Sequence, residues 1–115
     1  MLRIGPTKNK GLGIFANRAI TKGELIEESP VLILSKPEIE VIKQTILAQY
    51  YFCWKDAGAI AFGRGSIFNH SPNSNVDFAP NYLNQTIDYI ASQNIQKDEE
   101  LNINYDSELL FEVKE

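Results

Sequence analysis

Residues 66–75 read SIFNHSPNSN, and this stretch decides how the rest of the chain is interpreted. It combines an apolar pair, Ile67 and Phe68, with the only histidine, His70, three asparagines and three serines. By itself, such a stretch is also typical of an Asx-rich turn capped by its own side chains. A serine hydrolase is disfavoured, because sequence neighbours such as His70 and Ser71 seldom face each other as base and nucleophile, and no nucleophile elbow surrounds Ser71.

The segment around this stretch, residues 58–84, is rich in glycine, proline, asparagine and serine and shows little sustained periodicity. We therefore expect it to be loop-rich. A long irregular segment in a small domain is more often functional than idle.

Outside this segment, short apolar runs separated by turn residues predict a mostly β domain. Residues 87, 89 and 91, and residues 101, 103 and 105, alternate with period two, which is typical of half-buried strands. An exposed turn is expected between them, over residues 96–100. The predicted strand regions are Leu12–Ala16, Leu25–Glu28, Val31–Leu34, Ile87–Ala91 and Leu101–Tyr105.

One main helix is predicted at about residues 37–49. Ser35 and Glu38 form the S-x-x-E pattern of a capping box. The apolar residues Ile39, Ile42, Ile46 and Tyr50 follow at helical spacing and would form one buried face.

Length and charge limit the classes of function. The 115 residues are enough for one hydrophobic core, and we expect a single domain over residues 1–115. Eleven Lys and Arg against fifteen Asp and Glu give a net charge of −4. This balance disfavours direct binding to nucleic acid or to an anionic membrane, since both require clustered cations, and it favours a basic partner.

The cysteine and histidine counts argue against a metal-dependent fold. With one cysteine, Cys53, and one histidine, the chain can form neither an internal disulfide nor the usual closed zinc site. We expect no metal. The longest apolar runs are far shorter than the ~20 residues of a membrane-spanning helix, and no secretory signal is visible.

Two further stretches are weak signals when taken alone. Residues 10–15 read KGLGIF, which is typical of a glycine-containing turn before a strand but lacks the dinucleotide and P-loop patterns. Residues 98–105 read DEELNINY, which is equally typical of an acidic turn, a strand and a core or edge tyrosine.

The order and spacing of the three stretches change the interpretation, because together they resemble a SET domain, the fold of one class of protein-lysine methyltransferases. The resemblance covers about Leu2 to Phe111 and includes the segment AITKGELI at residues 19–26. Two positions depart from the family pattern: Ser74 replaces a proline, and Asp98 replaces a glycine. The chain lacks cysteine-rich flanks and is similar to the minimal viral and bacterial members.

The resemblance implies a β-clip fold with a C-terminal pseudoknot, and methyl transfer from S-adenosylmethionine to a lysine amine. It places Gly11, Leu12 and Gly13 at the cofactor through their main chain, Asn69 toward its methionine portion, and the His70 backbone toward its adenine. His70 would then shape the pocket rather than act as a base.

The resemblance also implies that Tyr105 is the catalytic residue and that it contacts the cofactor. Candidate walls of the lysine channel are Tyr50 or Tyr51, Phe78 and Phe111. Each of these is equally typical of an aromatic core.

The implied partner is a Lys-rich protein segment, such as a histone tail, lying along an edge strand. Acidic residues are expected to favour such a segment, namely Glu27, Glu28, Asp77, Glu112 and Glu115. A homodimer is expected by similarity to the small viral members. The location would be cytoplasmic for a bacterial protein, and the host nucleus for a viral or exported one.

Two alternatives to an active enzyme remain open at this point. One is a SET-fold interaction module without turnover, and the other is a β-clip protein related by fold alone. Retention of Asn69, His70 and Tyr105 argues against both.

Overall fold

The computed structural model describes residues 1–105, which form mainly β-strands, with one α-helix and two 3-10 helices. The helical elements are α1 (Lys36–Ile42) and two 3-10 helices, Ile46–Gln49 and Gly63–Ser66. The strands are β1 (Leu2–Pro6), β2 (Leu12–Ala16), β3 (Leu25–Leu34), β4 (Tyr51–Trp54), β5 (Ala57–Ala61), β6 (Asn69–His70), β7 (Val76–Asn81), β8 (Thr86–Ala91) and β9 (Glu100–Ile103).

The strands form two sheets, and the prediction of a mostly β fold is confirmed. The first sheet has the order β1-β2-β9-β6 and the second has the order β4-β5-β3-β8-β7. The pairing of β6 with β9 is parallel, with Asn69 opposite Asn102 and His70 opposite Ile103. This pairing places residues 69–70 directly beside the end of β9. The segment after Tyr105, to which the predicted pseudoknot refers, lies outside the described residues.

The core fills the space between the two sheets. Ile14 and Ala16 of β2, and Leu101 and Ile103 of β9, are fully buried. On β8 the predicted alternation is confirmed, since residues 87, 89 and 91 are buried while their neighbours are not. The predicted last strand is shorter than expected, because β9 ends at Ile103 and Tyr105 lies in the turn that follows.

The two predicted strands at 25–28 and 31–34 are one continuous strand, β3, which changes partner along its length. Residues 25–30 pair with β8 and residues 31–34 pair with β5. Pro30 lies at the change, where the lack of an N–H is tolerated. Its carbonyl still accepts a hydrogen bond from the Phe62 N–H at 2.9 Å.

The predicted helix begins as expected but is wrong in length. Ser35 caps α1 and Glu38 completes the capping box, yet the helix ends at Ile42. The Thr45 hydroxyl donates to the Ile42 carbonyl at 2.8 Å and accepts from the Leu47 N–H at 3.1 Å, so the chain restarts as a 3-10 helix. Of the predicted buried face, Ile39 alone is buried, and Ile46 is 79% exposed. No helix within residues 1–105 is long and apolar enough to cross a bilayer.

The expectation of a loop-rich segment over residues 58–84 is only partly right. It contains most of β5, the second 3-10 helix, β6 and β7. On β7, Val76, Phe78 and Pro80 face the core in alternation. Pro80 obscures this pattern in the sequence, and it is tolerated because β7 is an edge strand.

Candidate functional site

The three sequence stretches that carry the family resemblance meet at the Asn69 side chain. Its amide nitrogen Nδ2 donates to the Leu12 carbonyl at 3.0 Å and to Glu100 Oε2 at 2.8 Å. One short strand, β6, is thus tied to β2 on one side and to β9 on the other. The two hydrogen bonds use both amide protons, so the orientation of the Asn69 side chain is fixed.

Gly13 is packed so closely that an added side chain would force its neighbours to shift. A Cβ atom at this position would lie 2.7 Å from Glu100 Oε2, 2.8 Å from Thr7 Cγ2 and 3.1 Å from Asn69 Nδ2. Its cross-strand partner Gly5 has ordinary space, with the nearest ring atoms of Phe15 at 3.6 Å. The close packing of Glu100, Thr7 and Asn69 against β2 therefore depends on glycine at position 13.

His70 and Tyr105 form a second junction. The Tyr105 N–H donates to His70 Nδ1 at 3.0 Å, and the two ring centroids are 5.1 Å apart. Nδ1 is an acceptor in this arrangement and carries no proton. The His70 carbonyl accepts from Lys10 Nζ at 3.0 Å. The imidazole thus holds the backbone at Tyr105.

The Tyr105 hydroxyl has a fixed direction although the residue is 53% exposed. It donates to the Phe68 carbonyl at 2.8 Å, which leaves the lone pairs of the oxygen available as acceptors. Burial and, to a lesser degree, the neighbouring Tyr50 raise the pKa of this hydroxyl above its usual range. The phenol therefore stays neutral throughout the physiological pH range.

The raised tyrosine pKa predicts a loss of stability in alkali. Between pH ~10, where an unfolded tyrosine loses its proton, and the higher pKa of the folded state, the folded chain retains a proton that the unfolded chain has released. The free energy of unfolding should therefore fall as the pH rises above about 10. Tyr105→Phe should make this fall less steep in urea titrations, and identical slopes for the two proteins would contradict the assignment.

Three of the four candidate channel aromatics lie within the described residues, and their surroundings differ. Tyr50 is close enough to Tyr105 to influence its pKa. Tyr51 packs beside Gly58 and lies toward Lys43, whose pKa is raised by Glu40 first and by Tyr51 to a lesser degree. Phe78 is 4% exposed in the core, with its ring 5.4 Å from that of Phe52. Tyr50 thus lies nearer to Tyr105 than the other candidates, and Phe78 is a core residue. The role of Tyr50, Tyr51 and Phe78 as channel walls stays a prediction.

Phe111, the remaining channel candidate, lies outside the described residues. The same holds for two of the acidic residues that were expected to favour a basic segment, Glu112 and Glu115. Their assignments stay predictions.

Two supporting residues were not assigned from the sequence. Asn75, 3% exposed, accepts from the Asn102 N–H at 2.9 Å and donates to the Glu100 carbonyl at 2.9 Å. It thereby locks the end of the quoted stretch onto β9. Glu100 holds Asn69. In the sequence, Asn75 could have been recognised because it directly precedes the apolar residue that begins β7. No comparable sequence feature identifies Glu100.

A polar cluster surrounds Gly65, three residues before Phe68. The Gly65 N–H donates to Ser29 Oγ at 3.1 Å, and the Tyr89 hydroxyl donates to the Gly65 carbonyl at 3.2 Å. Glu27 Oε2 accepts from the Arg64 N–H at 3.1 Å. Burial raises the pKa of Tyr89, with smaller contributions from Glu27 and Tyr105. Glu27 thus belongs to the support of the site rather than to an open acidic surface.

Asp98 shows how this chain tolerates a departure from the family pattern. It has φ of 71°, the left-handed region for which glycine is usually chosen. Aspartate adopts this region more readily than most residues. It also pairs with Arg3 at 3.2 Å. The turn before β9 is therefore retained without glycine.

The fold and these junctions define a class of protein, and the chain belongs to the SET-domain family. The SET domain model matches residues 11–106. The sequence-based assignment to the SET-domain protein-lysine methyltransferases is thereby confirmed. No cluster of three or more potential metal-ligating side chains occurs among the described residues.

The chain is similar to two individual proteins, one compared by sequence and one by structure. The chain is 40% identical over 113 residues to a protein of Schizosaccharomyces pombe named histone-lysine N-methyltransferase, H3 lysine-37 specific; the match covers 96% of this chain and 77% of that protein. A crystal structure of a Plasmodium falciparum protein, provisionally designated a histone methyltransferase, superimposes with a TM-score of 0.75. It is 30% identical, and the match covers 92% of this chain and 97% of that one.

Proposed function

We propose that this chain uses S-adenosylmethionine to methylate a lysine side chain in a histone tail or a similar basic protein segment. One observation carries the proposal: Asn69 joins the Leu12 carbonyl to Glu100, and His70 holds the backbone of Tyr105. The three family stretches thus meet as one site.

The residues present fit the proposed cofactor. Gly11, Leu12 and Gly13 lie beside the Asn69 amide, and at Gly13 the neighbouring side chains already occupy the place that a Cβ atom would need. An open surface depression of about 420 Å³ lies next to them and is lined by residues 6–10, Phe15 and Glu100. The bound cofactor would supply a methyl group on a positively charged sulfur.

The substrate amine must lose its proton before it can accept the methyl group. A lysine with an ordinary pKa of about 10.4 is neutral in only about one molecule in a thousand at pH 7.4, equivalent to about 4 kcal/mol against attack. Burial of the amine in a narrow aromatic channel and the positive charge on the sulfur of the bound cofactor would disfavour the charged form. The lost proton would pass to water.

In our proposal, Tyr105 orients the neutral amine. Its own proton is committed to the Phe68 carbonyl, so the hydroxyl oxygen can accept an N–H from the substrate. The nitrogen lone pair is then left for the methyl group. Positioning of this kind contributes through entropy already lost on binding.

For the substrate we propose a histone tail, with support from the name of the fission yeast relative. Glu28 and Asp77 are exposed and could attract basic residues, and Asp77 lies on the edge strand β7. A histone substrate would require a nuclear location, at least while the enzyme acts. A homodimer stays a prediction.

The first test is binding of S-adenosylmethionine to the purified chain, measured by calorimetry beside Gly13→Ala and Gly5→Ala. The alanine at position 13 would crowd Glu100, Thr7 and Asn69, so we expect about tenfold weaker binding, equivalent to about 1.4 kcal/mol. The matched alanine at position 5 has room and should bind normally.

Three outcomes decide the proposal. Saturable binding that is lost at Gly13→Ala but retained at Gly5→Ala would support the site. Equal affinities for all three proteins would exclude this part of the pocket. No binding by folded wild-type protein, with or without a Lys-rich peptide, would favour the interaction module instead.

A further inference from the structure

A bulge in β3 turns the side chain of Glu27 toward the interior of the second sheet. Leu25 pairs with Ile90 and Glu27 pairs with Tyr89, so two steps along β3 correspond to one step along β8. Directly opposite residues of an antiparallel pair share a face, and Tyr89 is fully buried. The Glu27 side chain is accordingly only 16% exposed. Bulges often re-aim a side chain in this way beside active sites.

The carboxylate of Glu27 holds the beginning of the 3-10 helix Gly63–Ser66. Its Oε2 atom accepts from the Arg64 N–H at 3.1 Å, and a Cβ atom at Gly63 would lie only 3.1 Å from the same oxygen. Gly63 has φ of 85°, which glycine adopts without strain. Phe62, the residue before the helix, makes no capping hydrogen bond with its side chain. Glu27 therefore supplies, from another strand, the acceptor that a capping side chain usually supplies.

The 3-10 helix connects this carboxylate to the Tyr105 hydroxyl. The Arg64 carbonyl accepts from the Ile67 N–H at 3.0 Å, so Arg64 is bonded to Glu27 on one side and to Ile67 on the other. Phe68 follows directly, and its carbonyl accepts from the Tyr105 hydroxyl at 2.8 Å. Three hydrogen bonds, joined by short pieces of backbone, thus lead from Glu27 to Tyr105.

An ion pair does not explain why a carboxylate occupies this position. Arg64 Nη1 lies 4.0 Å from Glu27 Oε1, and the Arg64 side chain is 51% exposed. Such a pair contributes little to stability. The Ser29 hydroxyl is also distant, at 3.4 Å from Oε2. Because removing a carboxylate from water costs free energy, we look for the role of Glu27 in the backbone that it fixes.

We propose that Glu27 is a positioning residue for methyl transfer, which fixes the Phe68 carbonyl through the 3-10 helix and thereby sets the direction of the Tyr105 hydroxyl. The assignment rests on the proposed function, in which this hydroxyl orients the substrate amine. Glu27 needs no contact with substrate or cofactor in this role. Its loss should therefore lower kcat and leave the binding of both ligands nearly unchanged.

The experiment measures kcat and KM for a histone tail peptide with Glu27→Met and Glu27→Gln. Methionine keeps the length of the side chain but removes the strong acceptor, and we expect about tenfold lower kcat. KM, and the affinity for S-adenosylmethionine by calorimetry, should stay within about twofold. Glutamine keeps an oxygen that can accept from the Arg64 N–H, so kcat should return to within about threefold of wild type.

Glu40→Ala serves as the control for the loss of a carboxylate. Glu40 lies on α1, its side chain is 70% exposed, and it pairs only with Lys43 three residues further on. The control should leave kcat and KM unchanged. Thermal unfolding would show that each variant is folded at the assay temperature, and Glu27→Ala provides the same comparison if methionine proves too crowded beside Gly63.

A double-mutant cycle with Tyr105→Phe separates positioning from a general loss of structure. Without the hydroxyl, Glu27 has nothing left to direct, so Glu27→Met should lower kcat less than about twofold in the Tyr105→Phe background. A tenfold loss in both backgrounds would overturn the assignment, because Glu27 would then act on the whole site. An unchanged kcat for Glu27→Met, or a tenfold loss for Glu27→Gln as well, would overturn it too.

NMR spectra of tyrosine-labelled protein test the same coupling without any substrate. The ring resonances of Tyr105 should shift in Glu27→Met and should return close to their wild-type positions in Glu27→Gln. Unchanged resonances in Glu27→Met would overturn the role of Glu27 while leaving the proposed function intact. A wild-type protein that neither binds S-adenosylmethionine nor methylates the peptide would instead overturn the proposed function itself.

Discussion

Tyr105→Phe should slow methyl transfer at least about tenfold while leaving cofactor affinity within about twofold of wild type. Phenylalanine keeps the ring that packs against His70, and it keeps the backbone N–H that donates to His70 Nδ1. It removes the hydroxyl that is anchored on the Phe68 carbonyl. A tenfold loss corresponds to about 1.4 kcal/mol, which is modest for a group that positions the attacking atom.

Single-turnover rates on a histone tail peptide at saturating cofactor would measure this effect. The rate of methyl transfer should be lower for Tyr105→Phe than for the wild type, whereas calorimetry should give the two proteins the same affinity for S-adenosylmethionine. Tyr105→Ala, which also removes the ring, should lose more. A near-normal rate for Tyr105→Phe would exclude Tyr105 as the catalytic residue and leave the hydroxyl a structural role at Phe68.

The fold class could be predicted from the sequence because the alternation of apolar residues and the resemblance to a SET domain both indicated a mostly β fold. Alternation at residues 87–91 reflects the strand period and needs no tertiary contact to be recognised. The order of the strands in the two sheets, in contrast, was not predicted from the sequence. The parallel pairing of Asn69–His70 with Asn102–Ile103 joins residues more than thirty positions apart, and no local pattern encodes it.

The helix was predicted too long because the apolar spacing does not take the hydrogen bonds of Thr45 into account. Ile39, Ile42 and Ile46 have helical spacing, but Thr45 bonds to backbone groups on both sides and ends the regular hydrogen-bond pattern. Ile46 is consequently exposed. Spacing predicts a helix only as long as no side chain competes for the backbone.

The site was predictable as a list of residues but not as a set of contacts. Asn69, His70 and Tyr105 were singled out by the resemblance, and the structure brings them together. Glu100 was part of a quoted stretch and was interpreted only as part of an acidic turn, because a glutamate beside a turn is usually solvated. Its contact with Asn69 depends on the register of β9 against β6.

Gly65→Ala should be the most destabilising single methyl group that can be added near the site, with a cost of about 3 kcal/mol. A Cβ atom there would overlap Ser29 Oγ and would lie 2.6 Å from both Cε2 and the hydroxyl oxygen of Tyr89. Ser29 and Tyr89 are both fully buried, so neither can move toward solvent. The backbone of Gly65 is itself bonded to both side chains, so the 3-10 helix cannot retreat without breaking those bonds.

Thermal and urea unfolding would measure the change, with Gly5→Ala as the matched control. At position 5 the added methyl group makes only ordinary contact with Phe15, and we expect a change within about 0.5 kcal/mol. For Gly65→Ala, a loss of about 3 kcal/mol corresponds to a melting temperature lower by roughly 10–20 °C. Equal melting temperatures for the two variants would show that the packing around Gly65 is looser than described.

A double-mutant cycle with Ser29→Ala would locate the origin of the loss. Because the serine oxygen is one of the atoms that the new methyl group overlaps, its removal should return part of the lost stability, and the two changes should not be additive.

Gly65→Ala should also lower the rate of methyl transfer. Gly65 is three residues before Phe68, whose carbonyl anchors the Tyr105 hydroxyl, so a displaced 3-10 helix would move the anchor as well. In a variant that is still folded at low temperature, methyl transfer should therefore slow, while the Gly13 side of the site, which is held by Asn69 and Glu100, keeps its affinity for the cofactor.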